Sequence, residues 1–443
     1  MRAAEANETT MRRHERGTDM TQTTTNAAAG SYRPTESVLH QCRACLAPSP
    51  HLFLPMGDHP PANMFVRPED ARAPQPTFPL NTQACLECGL IEVADQIPPD
   101  FFRHYLYVPS GATTMHTHFD ELAGVLHGIA GDGLVIDIGC NDGLLLEAAN
   151  RRGARTLGID PAANLAEIAL GRGVEVDVAY FGPDTARRVR NERGPAAVIV
   201  TTNTFNHIGD LHAFMEGVRT LLAEDGTFVI EVPRADELLK GNEFDTVYHE
   251  HVSEFSLLSL VRLGDFFDFD VTDVTPLPVH GGSMRVMMRP RRAGAAIEPA
   301  VGQLLETERA AGILDAAAYG AFAERVDTVR RDTLAMIDDL RAQGLRIAGY
   351  GAPAKGNTLL NYFGIGPDRL DFLVDRNPLK QGLLSPGMMI PVLPVEAIAE
   401  RKPDVLLVLA WNFFNEIREQ QRTFEEGGGR FLVPLPRPVL IGD

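Results

Sequence analysis

The spacing of apolar positions changes character along this chain, and each change predicts a different kind of structure. From residue 38 to 100 they come in short pieces broken by Pro and Gly, as in Leu54-Pro-Met-Gly-Asp-His-Pro-Pro61. So loop-rich a segment struggles to build a core by itself. From residue 115 an amphipathic stretch, 119–129, leads into apolar runs at 134–138, 156–159, 174–178, 197–201 and 227–232, separated by helical segments. Strands alternating with helices predict a parallel sheet covered on both faces. Runs at 266–274 and 283–288, joined by the turn-rich Pro276-Leu-Pro-Val-His-Gly-Gly282, predict a hairpin that ends the sheet. Between 300 and 344, Phe322, Val326, Val329, Thr333, Ile337 and Leu340 recur at spacings of three and four. That stripe predicts one or two long helices with an inter-domain packing face. Strands at 345–350, 370–374, 405–409 and 431–433 predict a further, smaller α/β unit.

The expected architecture is therefore α/β in several parts. A tail spans 1–36, a small module 37–110, the main sheet domain 111–298, linking helices 299–344 and a last α/β domain 345–443. The tail is rich in Thr, Arg and Ala with no apolar core, so it reads as disordered and not as an export signal. Met20 is an alternative native start.

Composition narrows the function. The chain has 443 residues, 44% hydrophobic and 23% charged, and no apolar run approaches the length of a membrane span. A formal charge of −18 argues against a nucleic-acid groove. An anionic ligand must then be held by local cations or backbone N–H groups. We expect a cytoplasmic protein, monomeric or weakly oligomeric, with no membrane partner.

Four of the five cysteines fall in two pairs, Cys42-Arg-Ala-Cys45 and Cys85-Leu-Glu-Cys88. Such spacing lets each pair bite one metal, and two pairs complete a tetrahedron around a structural zinc. The zinc supplies the stability that the loop-rich module lacks. A redox pair is the alternative, but that motif is normally single and sits in a βαβ context.

The first strand of the main domain runs into Asp137-Ile-Gly-Cys-Asn-Asp-Gly143. Gly139 and Gly143 let a backbone approach a ligand at a helix start. The Gly-x-Gly-x-x-Gly of dinucleotide sites is absent. An acid with two glycines suits S-adenosylmethionine better, since Asp137 can receive its ammonium and no pyrophosphate needs cradling. Seventeen residues past Gly143, Asp160 ends the second strand, where a carboxylate can take both ribose hydroxyls. It is also placed to cap a helix before Pro161. Asn203 and His207 follow the fourth strand, at the carboxyl edge where α/β sheets bind ligands, although His207 also reads as a plain helix-start residue. The cofactor candidates are Asp137, Gly139, Asn141, Gly143, Asp160 and Asn203.

Beyond the fifth strand lies Tyr248-His-Glu-His251. Imidazole titrates near neutral pH and can take and release a proton. The segment lacks the i, i+4 histidines of a helical metal site, which weighs against His249 and His251 as zinc ligands. Farther on, Gly349-Tyr-Gly-Ala-Pro-Ala-Lys-Gly356 follows a strand and opens a helix, as an anion-binding turn does, with Lys355 as the cation. A purely structural turn remains the alternative there. Gly282 and Ser283, just before the hairpin's second strand, either line a pocket or make a tight turn.

With these strings in order, the chain resembles the deoxysugar C-methyltransferase family from about Cys42 to its end. The match includes both cysteine pairs, the loop from Asp137 to Gly143, Tyr248-His-Glu-His251, Pro278-Val-His-Gly-Gly-Ser283, the turn through Asn357, Asp375-Arg-Asn-Pro-Leu-Lys-Gln381 and Ala410-Trp-Asn-Phe413. The resemblance implies a seven-stranded methyltransferase core, S-adenosylmethionine as methyl donor, and a nucleotide-linked 4-keto-6-deoxyhexose methylated at C3 or C5. It also implies His251 as general base, with Glu250 and Tyr248 in support and Tyr248 or His207 as donor to the enolate. Tyr107 or Tyr105 corresponds to a family tyrosine near the sugar, and His249, Gly282, Ser283, Lys355 and Asn357 become substrate-side candidates. Rival readings are an O- or N-methyltransferase, which needs no carbon acid, a nicotinamide-dependent sugar epimerase or dehydrogenase, and a non-catalytic zinc scaffold.

Overall fold

The computed structural model describes residues 41–95, 97, 109–111, 113–279, 281–293 and 296–442. The expected tail at 1–36, Tyr105 and Tyr107 lie outside the described residues.

After the loop that carries Cys42 and Cys45, strands β1 (His51–His59), β2 (Phe78–Ala84) and β3 (Ile91–Val93) pair antiparallel. The β1–β2 ladder slips between Leu52 and Leu54 and again between Pro55 and Asp58. Pro55 has no N–H to give, which breaks the alternation that marks a strand in sequence.

α1 (Thr113–Ala130) leads into β4 (Leu134–Ile138), α2 (Leu144–Arg151), β5 (Arg155–Ile159), α3 (Ala163–Gly171), β6 (Val176–Asp177), α4 (Pro183–Arg193), β7 (Ala196–Thr202), α5 (Leu211–Leu221) and β8 (Leu222–Pro233). All five residues of β4 are buried, as a strand covered on both faces requires. β4 runs parallel to β5 on one side and to β7 on the other. Strand order reverses there, and a cleft opens beyond the carboxyl ends. The run expected at 174–178 shrinks to Val176–Asp177: Val174 is buried with Ala169 and Leu146, while Val178 is 51% exposed.

α6 (Ala235–Gly241), the two-residue strand β9 (Ser253–Glu254) and α7 (Leu257–Asp265) precede the hairpin of β10 (Phe269–Leu277) and β11 (Ser283–Pro290). The hairpin ends a seven-stranded sheet of order β10-β11-β8-β7-β4-β5-β6. Its first strand starts later than the apolar run suggests, because Phe266 caps α7 and Asp268 turns the chain at φ +54°. β9 does not join this sheet. It pairs with β3, Glu254 opposite Ile91, as the fourth strand of the amino-terminal sheet.

Two helices follow, α8 (Pro299–Ala310) and α9 (Ala316–Ala342). α9 buries Tyr319, Phe322, Val326, Val329, Thr333, Ile337 and Leu340 along one face. Phe53 of β1 meets the rings of Tyr319 and Phe322 at 4.8 and 6.0 Å. Burying such a ring contributes roughly 1.5–3 kcal/mol. The same apolar cluster continues to Ile347, Leu359 and Leu407, so α9 joins the first sheet to the last.

That last sheet comprises β12 (Ile347–Tyr350), β13 (Leu373–Val374), β14 (Val392–Leu393), β15 (Val405–Val408), β16 (Arg430–Val433) and β17 (Val439–Ile441), in the order β14-β13-β12-β15-β16-β17. α10 (Ala354–Phe363) follows β12. β12 is parallel to both β13 and β15, which makes a second reversal and a second cleft. Three joints tie this part to the amino-terminal module. Val66 bridges Leu384, Asn357 Nδ2 donates to the Ala62 carbonyl at 2.8 Å, and Gly387 N–H donates to Gln75 Oε1 at 2.6 Å. Among the described residues no helix is long and apolar enough to cross a membrane.

Candidate active site

The loop after β4 is built for close approach. Gly139 has φ +79°, and a Cβ there would lie 2.1 Å from Thr204 Oγ1. Gly143, at φ +77°, starts α2, and a Cβ on it would press on Ala169. Asn141 is held at φ +50°, its Oδ1 accepting from Asp142 N–H at 2.7 Å. Asn203, at φ +51°, donates its N–H to the Glu231 carbonyl at 2.8 Å.

Asp137 carries the sharpest signal. It is buried, and its Oδ1 has no hydrogen-bond partner among the described residues. Burial, then the charges of Asp160 and Glu231, pushes its carboxyl up to about 8. A buried, unpartnered carboxyl costs stability, and a cation in the cleft would relieve it. Asp160 accepts Asn141 N–H through one oxygen at 2.9 Å and Ala162 N–H through the other at 2.8 Å. Each oxygen keeps a lone pair for a hydroxyl. Burial raises this carboxyl as well. These residues fit S-adenosylmethionine: an acid for its ammonium, an acid for its ribose, and glycines where the chain must pass closely. Beneath them Glu231 is gripped by Arg285 Nε at 2.6 Å and faces His118 Nε2 at 2.7 Å. Burial pushes Glu231 up, but those two partners outweigh it and hold the carboxyl below its ordinary range.

A cavity of about 1130 Å³ extends from this loop to the cleft of the last sheet. Its walls include Asp137, Asp160, Asn203, His251, Lys355 and Lys380. Tyr248 and His251 meet in it. Their rings stack with centroids 4.1 Å apart, and Tyr248 Oη lies 2.6 Å from His251 Nε2. On the other side His251 Nδ1 lies 3.1 Å from Glu254 Oε1. With the ring proton on Nδ1, where a carboxylate faces it, Nε2 accepts from the Tyr248 hydroxyl. The His251 side chain is 14% exposed. Burial and the nearby Lys355 charge push its imidazole down to about 3, against a backbone contact with Thr246, so it is neutral at physiological pH.

The amino-terminal module fixes this segment. Val93 N–H donates to the Val252 carbonyl at 3.1 Å, and Arg43 Nη1 donates to the same oxygen. Arg43 also pairs with the buried Glu92 at 3.2 Å. On either side of Arg43 stand metal-binding thiols. The Sγ atoms of Cys42, Cys45, Cys85 and Cys88 all lie within 4.8 Å of one another, with Cys42–Cys88 at 3.6 Å and Cys45–Cys85 at 3.5 Å. A tetrahedral Zn–S bond of about 2.3 Å sets sulfurs about 3.8 Å apart, so donor type and spacing fit zinc.

The remaining candidates divide. His207 stands edge-on to His251, centroids 4.9 Å apart, and burial followed by that neighbour's charge pushes it well below its ordinary value. Glu250 accepts from Asn63 Nδ2 at 2.7 Å, and burial pushes its carboxyl up to about 7 against the pull of Asn63 and Lys380. His249 turns the other way, its Nε2 3.0 Å from the Pro79 carbonyl, and burial takes it down to about 4. Lys355 Nζ has no hydrogen-bond partner among the described residues and stands 4.5 Å over the Trp411 ring. Asn357 Nδ2 is spent on the Ala62 carbonyl while its buried Oδ1 has no hydrogen-bond partner among the described residues, Ser283 Oγ donates to the Val279 carbonyl at 3.0 Å, and Gly282 N–H binds the same carbonyl at 3.0 Å. Those three are not among the described residues that line the cavity.

Three buried groups escape a reading of sequence alone. Glu254 holds His251. Lys380 Nζ donates to the Ala352 carbonyl at 2.8 Å, within electrostatic reach of Glu250 and Asp375. Asp245 accepts from Trp411 Nε1 at 2.9 Å. The one available signal was local: Glu254 follows His251 by three residues.

Three family models match the chain in succession: a zinc binding domain over residues 42–102, a methyltransferase domain over 116–274, and a C-methyltransferase C-terminal domain over 278–436. Among curated proteins, the chain is 39% identical over 407 residues to the C-methyltransferase NovU of Streptomyces niveus, spanning 91% of this chain and 97% of NovU. It is 29% identical over 100 residues to a ubiquinone biosynthesis O-methyltransferase of a Chelativorans strain, spanning 22% of this chain and 38% of that one. Of solved structures, a SAM-dependent methyltransferase from Anabaena variabilis is 18% identical, covering 41% of this chain and 86% of its own, with a TM-score of 0.34.

Proposed function

Because the chain belongs to the S-adenosylmethionine-dependent C-methyltransferases, with an amino-terminal zinc module and a smaller carboxy-terminal α/β part, we propose that it methylates a ring carbon beside the ketone, C3 or C5, of a nucleotide-linked 4-keto-6-deoxyhexose. When bound, S-adenosylmethionine supplies an electrophilic methyl group. The protein's own task is to make the sugar carbon a nucleophile.

The observation that carries this reading is a neutral, mostly buried imidazole at the meeting point of two clefts. A hydrogen next to a ketone is acidic only because the carbanion delocalises onto oxygen. Its removal needs a base that is unprotonated at working pH and a donor for the developing enolate. His251, pushed down to about 3, is unprotonated. The Tyr248 hydroxyl, now 2.6 Å from Nε2, turns to the sugar carbonyl oxygen when substrate binds; Nε2 is freed as the sugar gains an enolate donor. His207, edge-on to the base, walls the same corner. Asp137, Asn141 and Asp160 hold the methyl donor on the opposite side, together with Gly139, Gly143 and Asn203.

The nucleotide half of the substrate takes the cleft of the last sheet. The Lys355 ammonium at the start of α10, with no hydrogen-bond partner among the described residues, is the local cation that a diphosphate needs in a chain of charge −18. Glu250 and Lys380 lie between that cleft and the base.

Incubation with S-adenosylmethionine and a nucleotide-linked 4-keto-6-deoxyhexose tests the reading, with the product examined by NMR. We expect a new methyl on a ring carbon next to the ketone and loss of the hydrogen that carbon bore. A methyl on oxygen or nitrogen would replace it with the O- or N-methyltransferase reading.

A further inference from the structure

Glu254 touches the base directly, yet it is not among the described residues that line the cavity. It belongs to β9, paired with Ile91 of the zinc module, and is 1% exposed. One oxygen faces His251 Nδ1 at 3.1 Å; the other is buried without a hydrogen-bond partner among the described residues. Lys355 is the cation that acts on it, and Glu243 and Asp245 share that same cation. A carboxylate so held has a single donor, on its inner oxygen, and that donor is the His251 ring.

Resting on the reading of His251 as base, we propose that Glu254 is a positioning residue for the carbon-acid step: it holds the imidazole by Nδ1, so that Nε2 faces the sugar and takes its proton. The C–H bond breaks, its electron pair stays on the substrate as the enolate, and its proton bonds to Nε2. The Nδ1–H bond stays intact, and the imidazolium that forms is held by the Glu254 carboxylate.

A buried carboxylate beside a catalytic imidazole orients the ring and stabilises the positive charge it gains, without itself taking the proton.

The test is hydrogen–deuterium exchange at the substrate's α-carbon, in deuterium oxide. It uses the full, zinc-loaded chain with S-adenosylhomocysteine in the donor site, so no methyl transfer occurs. We expect Glu254→Gln to slow exchange by about 100-fold, with unchanged zinc content and melting temperature and a substrate KM within about threefold of the parent. A loss of less than about tenfold, or a loss that travels with zinc content, melting temperature or KM, overturns the proposal. His251→Gln separates the two readings. If it abolishes exchange while Glu254→Gln does not, only the role of Glu254 falls; if it exchanges normally, the base assignment falls first. Nitrogen-15 histidine labelling of the parent protein provides a second measurement. A neutral His251 ring protonated at Nδ1 is expected, and one protonated at Nε2 overturns the proposal.

Discussion

Arg43 Nη1 donates to the Val252 carbonyl at 3.0 Å, so a side chain rooted between two zinc-binding thiols holds the backbone one residue beyond His251. Val93 N–H binds the same oxygen, and β3 pairs with β9 immediately after it. The four-cysteine site and the His251 segment are therefore one mechanical unit.

Removing zinc should loosen the base and not merely the module. Structural zinc contributes on the order of 10 kcal/mol of binding free energy to folding. Cys45→Ser is expected to lower zinc content and to expose the amides of residues 91–93 and 252–254 to hydrogen exchange. Undiminished protection there after zinc loss, followed by mass spectrometry, would contradict the coupling.

His251→Ala should cut turnover by roughly 10²–10⁴-fold, the usual contribution of a general base. Affinity for S-adenosylmethionine should hold within about threefold, because Asp137 and Asp160 stand on β4 and at the end of β5, outside the histidine segment. Turnover kinetics and calorimetry on the same variant decide it. A large loss of donor affinity would mean that the histidine shapes the cofactor site instead.

Donor binding should depend on pH through Asp137. Burial and the charges of Asp160 and Glu231 put its carboxyl at about 8 in the empty site, so near neutrality it is protonated. A bound cation favours the ionised form, and binding must expel that proton. Affinity should therefore rise with pH, by up to about tenfold per unit, and level off above about 8. Calorimetry in buffers of different ionisation enthalpy reads the released proton directly. Constant affinity between pH 6 and 8 would show that Asp137 does not meet the cation.

The folded protein should also feel this group in its stability. Its folded-state value is raised above that of the unfolded chain, so the empty protein loses stability as pH climbs from about 4 through about 8. Saturating donor should flatten that part of the melting-temperature profile.

Gly139→Ala is expected to damage the cofactor loop. The position needs φ +79°, and the added Cβ would land 2.1 Å from Thr204 Oγ1. Strain of this kind costs on the order of 1–3 kcal/mol. Calorimetry should show a lower melting temperature together with weaker donor binding, and a neutral result would mean that the loop relaxes without cost.

Much of this organisation is legible in the sequence because its signals are local. The stripe from Phe322 to Leu340 follows the helical repeat, and all six positions are buried in α9. The cysteine pairs announce themselves because a chelate needs only short spacing. Glu254 is harder to find. It lies in a two-residue strand, too short for any periodicity, and its burial arises only when it pairs with Ile91 from 163 residues earlier in the chain. Lys380 reads as a solvated cation until its ammonium is seen on the Ala352 carbonyl. Asn357 shows how much a motif leaves open. A motif places it near a nucleotide turn, but the side chain faces backward onto Ala62, and a string of residue types does not record which way a helix is rotated.

The joints between Val66 and Leu384, Ala62 and Asn357, and Gln75 and Gly387 bear on any attempt to retarget the acceptor by chimeragenesis. Transplanting residues 345–443 from a relative would leave three mismatched handshakes with the host's residues 62–75. A graft that carries both stretches keeps them intact, so acceptor preference should be moved as a pair of segments.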